Sequence, residues 1–193
     1  MTEIEILVDL YTDIEIAKKK LADFHFQGSK RTIDRYFYDP LRLNLKLNDN
    51  NKLLECCRVR TKGGQNYITY KVDIYDNEIW KYSEEHETKF DDLDTMLKIL
   101  NKLGLKPLIK IDNLKHIYST DNYEIVLEEV DGLGYFLEVE YSSSVNNDSV
   151  EEIKAQIFQF ILTLGLDIGE ELNSGKPELL LLKNLDISHL SLN

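Results

Sequence analysis

The chain of 193 residues is long enough for one domain with a sizeable hydrophobic core. Its net charge of −12 at pH 7 argues against broad nucleic-acid binding, which needs a basic surface, yet it permits a local basic cavity for an anion. No stretch of about 18 apolar residues is present, and the N-terminus lacks the basic and apolar regions of a secretory signal. We therefore expect a cytoplasmic protein with no membrane partner and no nucleic-acid partner.

Three segments have the apolar periodicity of amphipathic helices. They span residues 13 to about 24, residues 91–103 and residues 149–164. Gly104 and Gly165 follow the second and third segments, at the position where a glycine commonly ends a helix. Ser149 and Glu152 begin the third segment with the spacing of a capping box.

Between these helices, charged and apolar residues alternate with the period of two that is typical of strands. The alternating charged pairs are Glu3 and Glu5, Arg58 and Arg60, Glu85 and Glu87, and Glu138 and Glu140. An ordinary sheet with one charged face would send these charges to solvent. A barrel with a charged interior and with helices over its apolar outer face satisfies both faces, so the pattern favours such a barrel.

Four short motifs follow one another in an order that is hard to produce by chance. Residues 3–7 read Glu-Ile-Glu-Ile-Leu, residues 58–60 read Arg-Val-Arg, and residues 67–71 form a strand-like segment that ends in a lysine. Residues 132–140, Gly-Leu-Gly-Tyr-Phe-Leu-Glu-Val-Glu, are the most specific of the four. Together with residues 34–39 and the acidic pair of residues 85–87, these motifs resemble the CYTH superfamily, also called triphosphate tunnel metalloenzymes, over residues 3 to about 182.

The resemblance implies an α+β fold built on a closed antiparallel eight-stranded β-barrel, the triphosphate tunnel, with helices packed on the outside. We expect a single domain over residues 1–193, in which residues from about 184 form either a frayed tail or a dimer contact. The superfamily includes class IV adenylyl cyclases and thiamine triphosphatases. It therefore implies a metal-dependent enzyme that processes triphosphates, and the cyclase branch, which converts ATP to cyclic AMP and pyrophosphate, matches best. Inorganic or thiamine triphosphatase activity, or a weakened module that binds nucleotides or polyphosphate, are the alternatives.

The implied ligand is a nucleoside triphosphate or another triphosphate, and the resemblance to the cyclase branch implies a homodimer. Mg²⁺ or Mn²⁺ is the expected cofactor, because hard cations take carboxylate oxygens and share ligands with phosphates. Arginine side chains match phosphate oxygens with two parallel hydrogen bonds, while lysine supplies a compact charge.

The same resemblance implies a role for each charged residue of the motifs. The implied metal ligands are Glu3, Glu5, Glu138 and Glu140. The residues implied to bind the phosphates are Arg58, Arg60, Lys71 and Lys115. Glu85 and Glu87 are implied as further acidic residues of the lumen. The residues implied in catalysis are Glu3, Glu5, Arg58, Arg60 and Lys71.

Three positions depart from the family pattern. Leu7 stands where the signature has a lysine, and Asn113 stands where a basic residue is common before Lys115. Residues 175–180, Gly-Lys-Pro-Glu-Leu-Leu, resemble the C-terminal motif of the family but lack its tyrosine. We therefore expect a lumen that is short of at least one cation and one aromatic hydroxyl, with Leu7 as the defect if the protein has lost its activity.

Overall fold

The computed structural model describes residues 2–77, 79–142 and 149–190, which contain ten strands, four α-helices and one short 3₁₀ helix. The strands are β1 (Thr2–Glu3), β2 (Glu5–Leu10), β3 (His25–Tyr38), β4 (Glu55–Lys62), β5 (Gln65–Asp76), β6 (Ile79–Phe90), β7 (Lys106–Ser119), β8 (Tyr123–Val130), β9 (Gly134–Tyr141) and β10 (Ile168–Glu171). The helices are α1 (Ile14–Lys20), α2 (Leu93–Lys102), α3 (Val150–Thr163) and α4 (Lys176–Leu190), and the 3₁₀ helix is Leu43–Leu45. Within these ranges, no helix combines the length and the apolar character needed to cross a membrane.

The described strands form one antiparallel sheet in the order β1-β6-β5-β4-β3-β7-β8-β9-β2-β10. Only Ile4 separates β1 from β2 along the chain, yet the two strands pair at distant places in the sheet. Glu3 pairs with Ser83 of β6, whereas Glu5 pairs with Glu140 of β9. The sheet therefore curls so strongly that β6 and β9 approach each other.

The predicted α+β class, with antiparallel strands and helices on the outer surface, is confirmed. The closed eight-stranded barrel is not confirmed, because the described residues form ten strands in a linear order with β1 and β10 at the edges. Two local features account for the difference in strand number. A break at Ile4 divides the predicted first strand into β1 and β2, and the short strand β10 pairs with the outer edge of β2.

Helices cover the outer face of the sheet where its apolar residues lie. Ile6 and Val8 of β2 belong to a buried cluster with residues of α1 and α3. Cys57 and Val59 of β4 belong to a second cluster with Leu100 of α2. Because neighbouring residues of a strand point to opposite faces, the charged residues of β2 and β4 are left facing inward.

The helix ends follow the signals in the sequence. Asp13 and Asp92 accept hydrogen bonds from backbone N–H groups in the first turns of α1 and α2. The capping box of Ser149 and Glu152 is confirmed, with both of its hydrogen bonds present. Gly104 follows α2 with a positive φ of 94°, as predicted for a glycine that ends a helix. The helix α1 ends earlier than predicted, because the chain continues in tight turns after its last residue.

The helix α4 was not predicted. Its sequence includes four consecutive leucines, which have no helical period. Leu179 and Leu180 pack against a buried apolar cluster that includes Leu7 and Phe136, and the first turn of α4 faces the interior of the sheet. The predicted tail begins within α4, and residues 191–193 lie outside the described residues.

Candidate functional site

The inner face of the curled sheet encloses a cavity of about 250 Å³, which is lined mainly by charged side chains. Strands β1 to β9 and the start of α4 all contribute to its wall. The structure brings every predicted site residue to this cavity, namely Glu3, Glu5, Arg58, Arg60, Lys71, Glu85, Glu87, Lys115, Glu138 and Glu140. Their roles in binding and catalysis stay predictions.

A ladder of three cations lies on the inner face of β4. Arg58, Arg60 and Lys62 all line the cavity, and each step of two residues along a strand spans about 7 Å. Burial, together with the positive charges of Lys115 and Arg60, lowers the pKa of Lys62. The ladder is therefore suited to an extended anion rather than to a single carboxylate.

We refer to Arg58, Arg60 and Lys71, with the carboxylates of Asp34 and Glu85, as the arginine wall. Arg60 holds Asp34 through two short bonds, Nε to Oδ1 at 2.7 Å and Nη2 to Oδ2 at 2.8 Å. Although burial acts in the opposite direction, Arg60 lowers the pKa of Asp34 to about 2. Glu85 is farther from its cations, since Arg58 Nη2 lies 3.5 Å from Oε2 and Lys71 Nζ lies 3.3 Å from Oε1. Arg58 and Lys71 are therefore held more loosely than Arg60.

The guanidinium of Arg58 is incompletely bonded. The residue is only 7% exposed, and its Nε atom has no hydrogen-bond partner among the described residues. Its Nη2 donates to Thr69 Oγ1 at 3.3 Å, which is long for a charged donor. A buried donor without an acceptor costs free energy, so the geometry indicates that an anion completes this site.

The opposite side of the cavity is a closed network, which we refer to as the lysine wall: Lys115, Lys176, Glu128 and Glu138. Lys115 Nζ lies 2.6 Å from Glu128 Oε1 and 3.4 Å from Glu138 Oε1. Lys176 Nζ lies 2.7 Å from Glu128 Oε1 and also contacts Glu138 Oε2. Although burial acts in the opposite direction, Lys115 and Lys176 hold the pKa of Glu138 well below its usual range. Two buried cations thus neutralise two buried carboxylates.

Three further carboxylates, Glu3, Glu5 and Glu140, crowd together with less positive charge around them. Burial, with repulsion from Glu85, raises the pKa of Glu3 to about 7. Burial also raises the pKa of Glu5, and burial with repulsion from Glu3 and Glu5 raises the pKa of Glu140 to about 8. Lys71 Nζ lies 3.8 Å from Glu3 and 3.7 Å from Glu5. This group of carboxylates is suited to accept an additional cation.

Sequence comparison agrees with this cavity of alternating inward charges. The pattern of the CYTH domain matches residues 1–172, which is most of the chain. The protein belongs to the CYTH family.

Known proteins similar to this CYTH protein support the same assignment. A protein of Methanocaldococcus jannaschii, named as a candidate adenylate cyclase, is 30% identical over 167 residues, which cover 86% of this chain and 91% of that protein. A solved structure from Pyrococcus horikoshii OT3 has a TM-score of 0.76 and 27% identity, and the match covers 93% of this chain and 99% of that one.

A third similar protein shares the fold at lower identity. It comes from Hippeastrum, and it is described as a candidate adenylyl cyclase with a dominant triphosphatase activity. Its TM-score is 0.63 at 15% identity, with 92% of this chain and 94% of that one covered.

The carboxylates of this CYTH protein fit a metal that is only partly held by protein. Within the described residues, no group of three or more His, Cys, Asp or Glu side chains is arranged to hold a metal ion. Mg²⁺ is usually bound by one or two carboxylates together with waters and substrate phosphates, and one or two of Glu3, Glu5 and Glu140 would be enough for such a site. Glu138 fits less well than predicted, because two lysines already pair with it.

Several inward-facing residues of this CYTH protein were not predicted as site residues. They are Asp34, Lys62, Glu124, Glu128, Lys176 and Glu178. The signal for four of them was present, because Asp34, Lys62, Glu124 and Glu128 continue the alternation of β3, β4 and β8. Lys176 and Glu178 gave no such signal, since they belong to the unpredicted helix α4.

The predicted absence of a cation at position 7 is accompanied by a lysine that enters the cavity from another element. Leu7 lines the cavity as the predicted alternation requires, and no charge stands at its position. Lys176 of α4, however, enters the same cavity and binds Glu138, which pairs with Leu7 in the register of β2 and β9. Asn113 also lines the cavity, where its Nδ2 donates to Glu128 Oε2 at 3.1 Å.

Proposed function

We propose that this CYTH protein binds the phosphate chain of a triphosphate in its cavity and, with Mg²⁺ or Mn²⁺, converts ATP to cyclic AMP and pyrophosphate. The observation that carries the proposal is the arginine wall, where the Nε atom of buried Arg58 has no hydrogen-bond partner among the described residues. In the same wall, Lys71 Nζ lies 3.8, 3.7 and 3.3 Å from carboxylate oxygens of Glu3, Glu5 and Glu85. Such cations are ready to exchange weak internal contacts for phosphate oxygens. The 30% identity to the named archaeal protein supports the cyclase form of the proposal.

The residues of the cavity divide the work between binding and orientation. Arg58 and Lys71 bind the phosphates, and Arg60 stays in place because Asp34 accepts hydrogen bonds from its Nε and Nη2 atoms. Catalysis of phosphoryl transfer depends mainly on positioning and on stabilising the charge that develops on oxygen.

The metal has one defined part in this proposal. One or two of Glu3, Glu5 and Glu140 would hold the cation, which would supply polarisation of phosphoryl oxygens and offset charge on the leaving group. The protein brings the ribose 3′ hydroxyl against the α-phosphate, so that the new oxygen–phosphorus bond forms as the bond to pyrophosphate breaks. The hydroxyl proton passes to a carboxylate of the cavity.

A triphosphatase is the second candidate, and the size of the cavity favours it. The volume of about 250 Å³ lies just below the range of roughly 300–1,000 Å³ that is typical of small-molecule sites. A bare tripolyphosphate needs less space than a nucleotide. The triphosphatase activity described for the Hippeastrum protein supports this alternative.

We further propose that β1 and β2 act as one strand that closes the sheet into a tunnel. The two strands are consecutive, and β1 pairs with β6 while β2 pairs with β9. With β1 and β2 counted together and β10 left aside, the tunnel has the eight strands expected from the resemblance.

The experiment is ³¹P NMR of the purified protein with Mg²⁺ or Mn²⁺ and, separately, ATP, tripolyphosphate and thiamine triphosphate. Pyrophosphate with a cyclic-nucleotide signal from ATP supports the cyclase, and orthophosphate from any of the three supports the triphosphatase. Broadened ligand signals without turnover indicate the binding module. Arg58→Ala tests the site, and Arg42→Ala is the matched control because Arg42 is exposed and pairs with Asp39. Absence of both turnover and broadening refutes the proposal.

A further inference from the structure

Position 7 and the start of α4 meet at one carboxylate. Leu7 and Glu138 are directly paired in the register of β2 and β9, and both line the cavity. Side chains of such a pair have Cβ atoms about 5 Å apart on the same face. A lysine at position 7 would therefore lie beside Glu138.

The chain supplies that carboxylate with a lysine from another element. Lys176 contacts Glu138 Oε2 and lies 2.7 Å from Glu128 Oε1, with a side chain that is only 12% exposed. Lys115 completes the network, so two cations face two carboxylates. A third lysine from position 7 would leave the buried network with an excess positive charge.

Leucine at position 7 also helps to keep α4 in place. Leu7 is 3% exposed and belongs to the apolar cluster against which Leu179 and Leu180 of α4 pack. A charged side chain at position 7 would be buried against these leucines, at a substantial cost in free energy.

The first turn of α4 is fixed to the rest of the molecule by its own bonds. Glu178 accepts hydrogen bonds from the backbone N–H groups of Leu53 and Gly175, each at 2.5 Å. Lys52 Nζ donates to Ser174 Oγ at 2.9 Å, just before the helix. Lys176 is therefore held at the cavity by a defined anchor.

We propose that Leu7 and Lys176 are energetically coupled. In this arrangement α4 supplies Glu138 with the positioning lysine that the N-terminal strand does not carry. Lys176 keeps Glu138 oriented beside the phosphate site, and Leu7 provides the apolar contact that holds α4 there. The part of this inference that concerns phosphate binding rests on the proposed function. The pairing of Leu7 with Lys176 does not.

The test is a double-mutant cycle of Leu7→Lys, Lys176→Met and the combined variant. Trp80 is the single tryptophan of the chain, and Lys71 Nζ lies 5.4 Å from the centroid of its ring in the cavity, so its fluorescence reports ligand binding. Titration with tripolyphosphate gives the affinity, and urea unfolding gives the stability. Lys183→Met is the matched control, since Lys183 lies on α4 and donates to the carbonyl of Gly132 outside the lysine wall.

We expect each single variant to lose about tenfold or more in affinity and to unfold at lower urea. Leu7→Lys buries an extra charge against α4, and Lys176→Met removes one of the two cations that pair with Glu138. The combined variant is expected to return to within about threefold of the original affinity, since a lysine at position 7 again pairs with Glu138. If Lys176 has only a structural role in α4, a lysine at position 7 of β2 should not restore the affinity for tripolyphosphate.

Three results overturn the proposal. Losses that simply add in the combined variant mean that the two positions are independent. Tighter binding by Leu7→Lys alone means that position 7 is a defect, and tighter binding by Lys176→Met means that Lys176 obstructs the site. If the unmodified protein binds no triphosphate, the proposed function fails, while the urea measurements still decide whether Leu7 and Lys176 are coupled.

Discussion

The two walls of the cavity contain similar numbers of charges but hold them differently. In the arginine wall, Arg58 and Lys71 approach Glu85 no closer than 3.3 Å. In the lysine wall, Lys115 and Lys176 lie within 2.7 Å of Glu128, which is fully buried. Loose pairs can be exchanged for a ligand at little cost, whereas a closed buried network cannot lose a member without leaving an uncompensated charge. The arginine wall is therefore suited to binding, and the lysine wall to support.

The largest expected effect is on ligand affinity in the arginine wall. Arg58→Ala removes the incompletely bonded guanidinium, so we expect activity or triphosphate affinity to fall by about 10²–10³-fold. Metal affinity should change much less, because Glu3, Glu5 and Glu140 remain. Isothermal titration with tripolyphosphate and with Mn²⁺ measures both, with Arg42→Ala as the exposed control. Equal losses for the two ligands would mean that Arg58 is structural.

Two carboxylate variants compare the lysine wall with the crowded group of Glu3, Glu5 and Glu140 in their contribution to the free energy of unfolding. Glu138→Gln breaks a buried network and should lower the free energy of unfolding by about 3 kcal/mol. Glu3→Gln relieves repulsion instead, since burial and Glu85 raise the pKa of Glu3, so it should cost little stability but weaken Mn²⁺ binding. Urea unfolding and Mn²⁺ titration of both variants provide the test. A stable Glu138→Gln variant would contradict the supporting role of the lysine wall.

The tight pair within the arginine wall gives a prediction about pH. The pKa of Asp34 is about 2 in the folded protein, below the value of about 3.9 for an unfolded aspartate. The ionised Asp34 therefore adds about 2 kcal/mol to the free energy of unfolding above pH 4, and this contribution is lost as the pH falls towards 2. Urea unfolding should show that Asp34→Asn is less stable than the original at about pH 5 and that the gap narrows in acid. Asp39→Asn, at the exposed pair with Arg42, should lower the free energy of unfolding by less than Asp34→Asn does. Equal losses would mean that the pair of Asp34 and Arg60 has no special part in stability.

The smallest effect is expected at the end of the cation ladder. Lys62→Met should lower the association rate of tripolyphosphate by only a few-fold and weaken its dependence on salt, because Lys62 contributes long-range attraction. Stopped-flow fluorescence of Trp80 at two salt concentrations measures this change, and Lys46→Met serves as a control outside the cavity. A loss as large as that of Arg58→Ala would instead place Lys62 among the core phosphate ligands.

The inward residues could be predicted because strand alternation is a local property. Once Ile6 and Val59 belong to apolar faces, Glu5 and Arg58 must point the other way. The caps at Asp92 and Ser149 are local in the same sense, since the bonds involve residues three positions apart. Each of these features depends only on neighbours in the chain.

The contribution of α4 could not be predicted, because it depends on contacts between distant segments. Lys176 meets Glu128 and Glu138 across intervals of 48 and 38 residues. The leucines after it pack against Leu7 near the other end of the chain. The break at Ile4 is similar, since it reflects the pairing of β1 and β2 with strands far along the sequence.

The position of α4 also makes the two ends of the cavity unequal. Its first turn lies at the end that holds Leu7, Tyr36 and Cys56, while Lys62 stands at the far end of β4. A triphosphate that approaches from the Lys62 end would therefore meet Lys62 before it reaches Arg58. Under the proposed function, we expect pyrophosphate or phosphate retained on Arg58 to compete with the next triphosphate for the same cations.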